Sequence, residues 1–213
     1  MNHIAGNSQP LGLPQSAGGP QVRHVNLMVD TIITNVASDD IRTLVRALLS
    51  SSPAHVTDQF CSLAKAHLNH IPIPPPPRGP ELFAIPPSSD EEELKPTPAF
   101  ETLLARARAR YGAGLGVSSI QVLLPIVEVA ATMPWTEESA IEESLAIVDS
   151  DIAAALLNTK EETGAGGEAG ARAIGVLRKL RDTFEIVKEK VEARGGDFPF
   201  ERSEDALSSL ELD

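Results

Sequence analysis

The sequence predicts an all-α protein: an antiparallel helical bundle, or two helical subdomains joined by a proline-rich linker. Three observations carry that expectation. Apolar residues recur at three and four positions through most of the chain, which places them on single helical faces. Ten of the 17 prolines fall between Pro72 and Pro98, four of them consecutive from Pro74 to Pro77. Proline lacks a backbone donor and fixes φ, so this band is neither helix interior nor central strand. The third observation is helical spacing on both sides of the band.

The first half opens with Val22, Val25, Val29, Ile32 and Val36 on one face. Their β-branched side chains favour strand, but strict alternation is absent, so helix is expected. Ser38 is placed to cap a second helix, with Asp39 and Asp40 near the positive end of its dipole. Its face is Ile41, Leu44, Val45, Leu48 and Leu49. Ser52 followed by Pro53 signals a third start, with Val56, Phe60, Leu63, Ala64 and His67 on one side. Short connections predict that these three helices pack as neighbours.

The second half begins at Thr97 and Pro98, a cap followed by proline. Phe100, Leu103, Leu104, Ala107 and Tyr111 form its stripe, and Gly112, Gly114 and Gly116 break it. Val117 to Met133 is apolar on most faces and contains Pro125. It reads as a central buried helix kinked at that proline, or as two short helices meeting there. Pro134 ends it. Thr136, with Glu137 and Glu138 behind it, is expected to cap a helix carrying Ile141, Leu145, Val148, Ile152 and Leu156. Gly164 to Gly167 makes a loop.

A long helix is expected from about Glu168 to Arg194, stopped by Gly195 and Gly196. Its stripe is Ala173, Leu177, Leu180, Phe184, Val187 and Val191. Arg178–Asp182, Arg181–Glu185 and Lys188–Glu192 lie four apart and support it weakly. The expected cover for the stripe is the preceding helix, in a hairpin across the glycine loop. A coiled-coil seam with another chain is the alternative.

The domain expectation is therefore a disordered tail over 1–20, a three-helix region over 21–71, and a proline-rich acidic linker over 72–96. A helical region over 97–196 and an acidic tail over 197–213 complete it. The tail, from Ser203 on, is expected to be disordered or a single helical turn.

Composition narrows the function. Among 213 residues the formal charge is −12, which repels nucleic acid and anionic lipid. No run reaches the roughly 18 to 20 apolar residues of a spanning helix. One cysteine, Cys61, forbids an internal disulfide framework and suits a reducing, intracellular compartment. The start of the chain has neither the basic n-region of a signal peptide nor presequence arginines.

Each chemical motif has a plainer explanation. Gly112 to Gly116 follows a helix rather than a strand, so it reads as a hinge and not a nucleotide loop. The turn after Ser118 could still present N–H groups to an anion. His67, His70 and Cys61 lack a fourth ligand in metal spacing, with His55 twelve residues away. No strand-to-helix elbow surrounds Cys61 as a nucleophile. Glu137, Glu138, Glu142, Glu143, Asp149 and Asp151 read as a solvated acidic face, since no histidine follows them at di-metal spacing. Arg106, Arg108 and Arg110 spread around a helix with only Tyr111 beside them, too little for a nucleic-acid patch. Ile73 to Pro77 should be polyproline II, a rigid spacer that could also offer Pro74 to Arg78 to an aromatic-lined groove.

No residue is assigned as catalytic, cofactor-binding or metal-ligating. The expectation is a non-enzymatic helical interaction or scaffold protein. It would meet another protein, or itself, through an apolar seam in the unused part of the Val117–Met133 and Glu168–Arg194 region. The alternative is a small-molecule enzyme with a pocket between helices. Its candidates are His67, Cys61, Tyr111 and Glu128, each on or beside an apolar stripe.

Overall fold

The computed structural model describes residues 20–85, 93–136 and 139–210, with side chains from Leu27 onward. The chain is all-α: ten helices and one two-stranded ladder among the described residues. It divides into two compact units, Met1–Thr57 and Asp58–Asp213. The proline band thus lies inside the second unit, and the division falls earlier than the expected linker.

The first unit holds α1 (Pro20–Asn35), α2 (Ser38–Ser51) and the start of α3 (Ala54–His70). Helical spacing prevails over β-branching in α1. Thr31 returns its hydroxyl to Leu27 O at 2.8 Å, the helix-compatible bond that four-residue spacing allows. Ser38 does not cap α2. Ala37 occupies that position with extended backbone (φ −60°, ψ 148°), and Ser38 is the first helical residue. Arg42 pairs with Asp39 one turn on.

The expected packing of these helices is not found for α2, which buries no residue at all. Ala37 and Ser52 at its two ends are both extended. α3 also contains no buried residue.

The second unit is built around α6 (Gly116–Ala130), which is apolar nearly all round. The helix runs through Pro125 without a break in its assignment. α5 (Pro98–Gly112), α7 (Ala140–Leu157) and α9 (Gly167–Glu192) all pack on it. Gly116 permits the approach of α6 to α7: a Cβ there would lie 2.4 Å from Ala155 O. Ser119 is fully buried and satisfies its hydroxyl on Ala107 O at 2.9 Å, tying α6 to α5.

Two caps follow the sequence differently. Thr97 caps α5 as expected, accepting from Phe100 N at 3.4 Å, with Pro98 behind it. Thr136 does not cap α7. Ser139 does, accepting from Glu142 N at 3.3 Å. Glu137 and Glu138 lie outside the described residues.

The stripe of α9 is buried within the chain, with Leu177, Leu180 and Val187 fully covered. This removes it as a seam for another molecule, coiled coil included. Its cover is a correction too: α9 packs on α6, α8 (Lys160–Thr163) and α10 (Glu201–Ser208), not as a hairpin on α7. An all-apolar α6 offers a face to each neighbour, so the stripe of α7 is used by α6, α5 and α10 instead. Lys188, expected beside Glu192, lies 3.2 Å from Glu204 of α10.

The acidic tail is largely structured. Phe198 and Phe200 join Phe184 in a cluster with ring centroids 5.5 to 5.8 Å apart. α10 then docks on α7, where Ser203 N donates to Asp149 Oδ1 and its hydroxyl to Asp149 O. The three final residues lie outside the described range.

Residues 72–96 also differ from an irregular spacer. They include α4 (Gly79–Leu82) and an antiparallel ladder of β1 (Phe83–Ala84) with β2 (Lys95–Pro96). Leu82 and Phe83 are core residues, with the Phe83 ring 5.1 Å from that of Phe100. Burial of about 150–250 Å² per aromatic ring outweighs the tendency of prolines to keep a segment apart. Glu93, from the acidic part of this segment, accepts from Ala140 N at 3.0 Å at the start of α7. Its neighbours Asp90 to Glu92 lie outside the described residues.

Candidate interaction surface

The residues singled out for chemistry are dispersed. Cys61 and His67 are exposed on α3. Tyr111 donates its phenol to Asp151 Oδ1 at 3.2 Å, while Glu128 lies 2.9 Å from Lys179 Nζ. Burial first, and then the Asp151 charge, push the Tyr111 phenol above its ordinary value. Cys61 and His67 are thus exposed, and the other two side chains make separate local contacts.

The basic run is divided: Arg106 and Arg108 are exposed and Arg110 is buried. Arg108 donates through Nε to both oxygens of Asp151, at 2.9 and 3.2 Å. Arg110 is only 2% exposed. It reaches Ser118 Oγ at 3.0 Å and Ile71 O at 3.1 Å, pinning the entry to the proline band. Burial, then the charge of Arg106, pull its pKa down. The sequence signal for this was present: Arg110 falls three positions after Ala107, within the apolar stripe of α5. Alternation along the chain masked it.

The acidic face is likewise partly spent on the fold. Asp151 is buried against Arg108, and Asp149 caps α10. Among the described residues no three metal-ligating side chains cluster. The start of α6, considered as an anion site, already faces a carboxylate: Val117 N donates to Glu162 Oε1 at 2.9 Å. Glu162 was not singled out from sequence, because it comes from α8, 45 residues away. Burial pushes its carboxyl above the usual range, while the Val117 N–H and Lys65 pull it back in part.

In the proline band, Pro74 and Pro77 are half-buried and Pro75 and Pro76 are exposed. Arg78 turns its N–H to Glu81 Oε2 at 3.1 Å, within the first turn of α4.

What stands out is apolar surface left uncovered in the first unit. Met28, Val29, Ile32 and Ile33 on α1 are 47% to 58% exposed. Leu44 and Leu48 on α2 are 52% and 59% exposed. Successive positions at three and four residues keep each set on one helical side. The charge distribution is equally uneven. Residues 1–57 carry three arginines and three aspartates, so the whole −12 belongs to residues 58–213.

No helix among the described residues is long and apolar enough to cross a membrane. Compared with protein-family models, curated proteins and solved structures, the chain matches none of them.

Proposed function

We propose that this chain is a non-enzymatic helical interaction protein that associates with a second copy of itself through the apolar stripes of α1 and α2. The observation that carries the reading is α2: a strongly amphipathic helix with no buried residue. Seven large apolar side chains are exposed on α1 and α2, from Leu27 to Leu48. Exposed apolar stripes of this kind often mark interaction sites. A second copy is favoured as occupant because the first unit carries no net charge, so two such surfaces meet without repulsion. A basic partner would be drawn to the second unit instead.

Sedimentation equilibrium on the full chain tests this. The wild type is expected to show a concentration-dependent dimer. Leu44→Asp/Leu48→Asp is expected to be monomeric with unchanged helical ellipticity, since neither residue supports a core. A wild type that stays monomeric, or a double variant that still dimerises, refutes the proposal.

A further inference from the structure

A cavity of about 480 Å³ opens in the second unit, between the proline band, α6 and α9. Its apolar walls are Ile73, Pro74, Leu124, Pro125, Gly175 and Val176. That volume is within the roughly 300 to 1,000 Å³ of organic-ligand pockets. Proline has no N–H, so the wall formed by the band presents rings rather than donors.

Gly175 is the telling residue. It lies in the interior of α9, where glycine weakens a helix. Its backbone is ordinary helix, and a Cβ there would meet nothing within 4 Å. Nothing in the packing of the chain therefore calls for glycine. Its effect is to leave the α9 backbone open to the cavity.

The polar lining is cationic on balance. Lys179 is matched by Glu128 at 2.9 Å. Arg172 has only a loose pair with Glu168 at 3.9 Å, both side chains largely in solvent. One guanidinium is thus available beside an apolar hollow, on a chain of net charge −12. Its planar fork matches a carboxylate in two parallel hydrogen bonds. A dianion would suffer from Glu128 on the same rim.

We infer that this cavity binds a small amphipathic monocarboxylate, with its apolar tail against Pro74, Leu124, Pro125 and Val176 and its carboxylate on Arg172. This goes beyond the self-association reading and uses none of its residues.

The test is calorimetric titration of the full chain with decanoate, and with 1-decanol as its uncharged counterpart. Decanoate is expected to bind saturably at one per chain, at least about tenfold tighter than decanol. Arg172→Gln is expected to bring decanoate to the decanol level without changing the melting temperature. Gly175→Leu is expected to abolish both by filling the hollow. Leu44→Asp/Leu48→Asp is expected to bind as the wild type, which separates this site from dimerisation. Absence of saturable binding, equal affinity for the two probes, or an Arg172→Gln chain that binds decanoate undiminished overturns the proposal. Undiminished binding by a folded Gly175→Leu chain does so too. If Gly175→Leu unfolds, the Arg172→Gln result decides.

Discussion

Arg110 shows how a single residue is read differently in one and three dimensions. Its guanidinium is buried and spends its donors on the hydroxyl of Ser118 and the carbonyl of Ile71. Removing it takes the donor from those partly buried acceptors and leaves a void behind. Arg110→Ala is expected to cost about 2–4 kcal/mol of unfolding free energy in urea. The Ile71 amide, which donates to Leu68 O at 3.2 Å, should also exchange faster with deuterium. An effect below about 0.5 kcal/mol, the scale of a surface change, would contradict the assigned contacts.

Glu162 supplies a pH signature at the same scale. Its folded-state pKa is raised, chiefly by burial. A raised carboxyl pKa means that the fold prefers the neutral form. The stability this contributes is present below the unfolded value, about 4.3, and is lost as pH rises through the folded value. Glu162→Gln keeps an acceptor for Val117 N but cannot ionise. Thermal melts from about pH 4 to about pH 7 should show the variant gaining on the wild type as pH rises through that window. Parallel curves would remove the desolvation argument.

Among the elements, two glycines in helices make a controlled comparison. At Gly116 an added methyl would press on Ala155 O at 2.4 Å, forcing α6 away from α7. Gly116→Ala is expected to destabilise by about 1–3 kcal/mol. At Gly175 the same methyl meets nothing. Gly175→Ala should stabilise by about 0.5–1 kcal/mol, since alanine is the better helix former. Chemical denaturation of both variants checks the opposite signs. Leu180 tests the covering of α9. It is fully buried, so Leu180→Asp places an unpaired charge in the core. Circular dichroism should show lost ellipticity, whereas a seam between molecules would leave a helical monomer.

At the scale of the whole molecule, net charge is segregated. The neutral first unit carries the uncovered stripes, and the second carries the net −12. In a dimer joined through the first units, two acidic second units are brought nearer together. Salt screens that repulsion over a Debye length of about 8 Å near physiological ionic strength. Dimerisation is therefore expected to strengthen as sodium chloride is raised, as read by light scattering. Weakening with salt would point to ion pairs as the source of association instead.

Helix class and most element starts were legible in the chain, because they depend on local rules. The Thr97–Pro98 cap, the all-apolar α6 and the termination of α9 before Gly195 are decided by residues within a few positions of each other. The stripes of α7 and α9 were read correctly as well. What covers each stripe was not, because amphipathic spacing marks a face without naming its neighbour. The hairpin of α7 with α9 looked natural across a glycine loop, yet α6 draws both. The tail looked acidic and free, yet Phe198 and Phe200 complete a ring cluster with Phe184 from a different element. The proline band looked like a spacer, yet Leu82 and Phe83 anchor it in the core. The cavity and its Arg172 were invisible for the same reason, being assembled from three segments far apart in the chain. Local sequence thus determined which residues form helices and which sides are apolar. Only the tertiary structure decided which of those sides find partners within the chain, because burial is a property of pairs of surfaces and the sequence lists them one at a time.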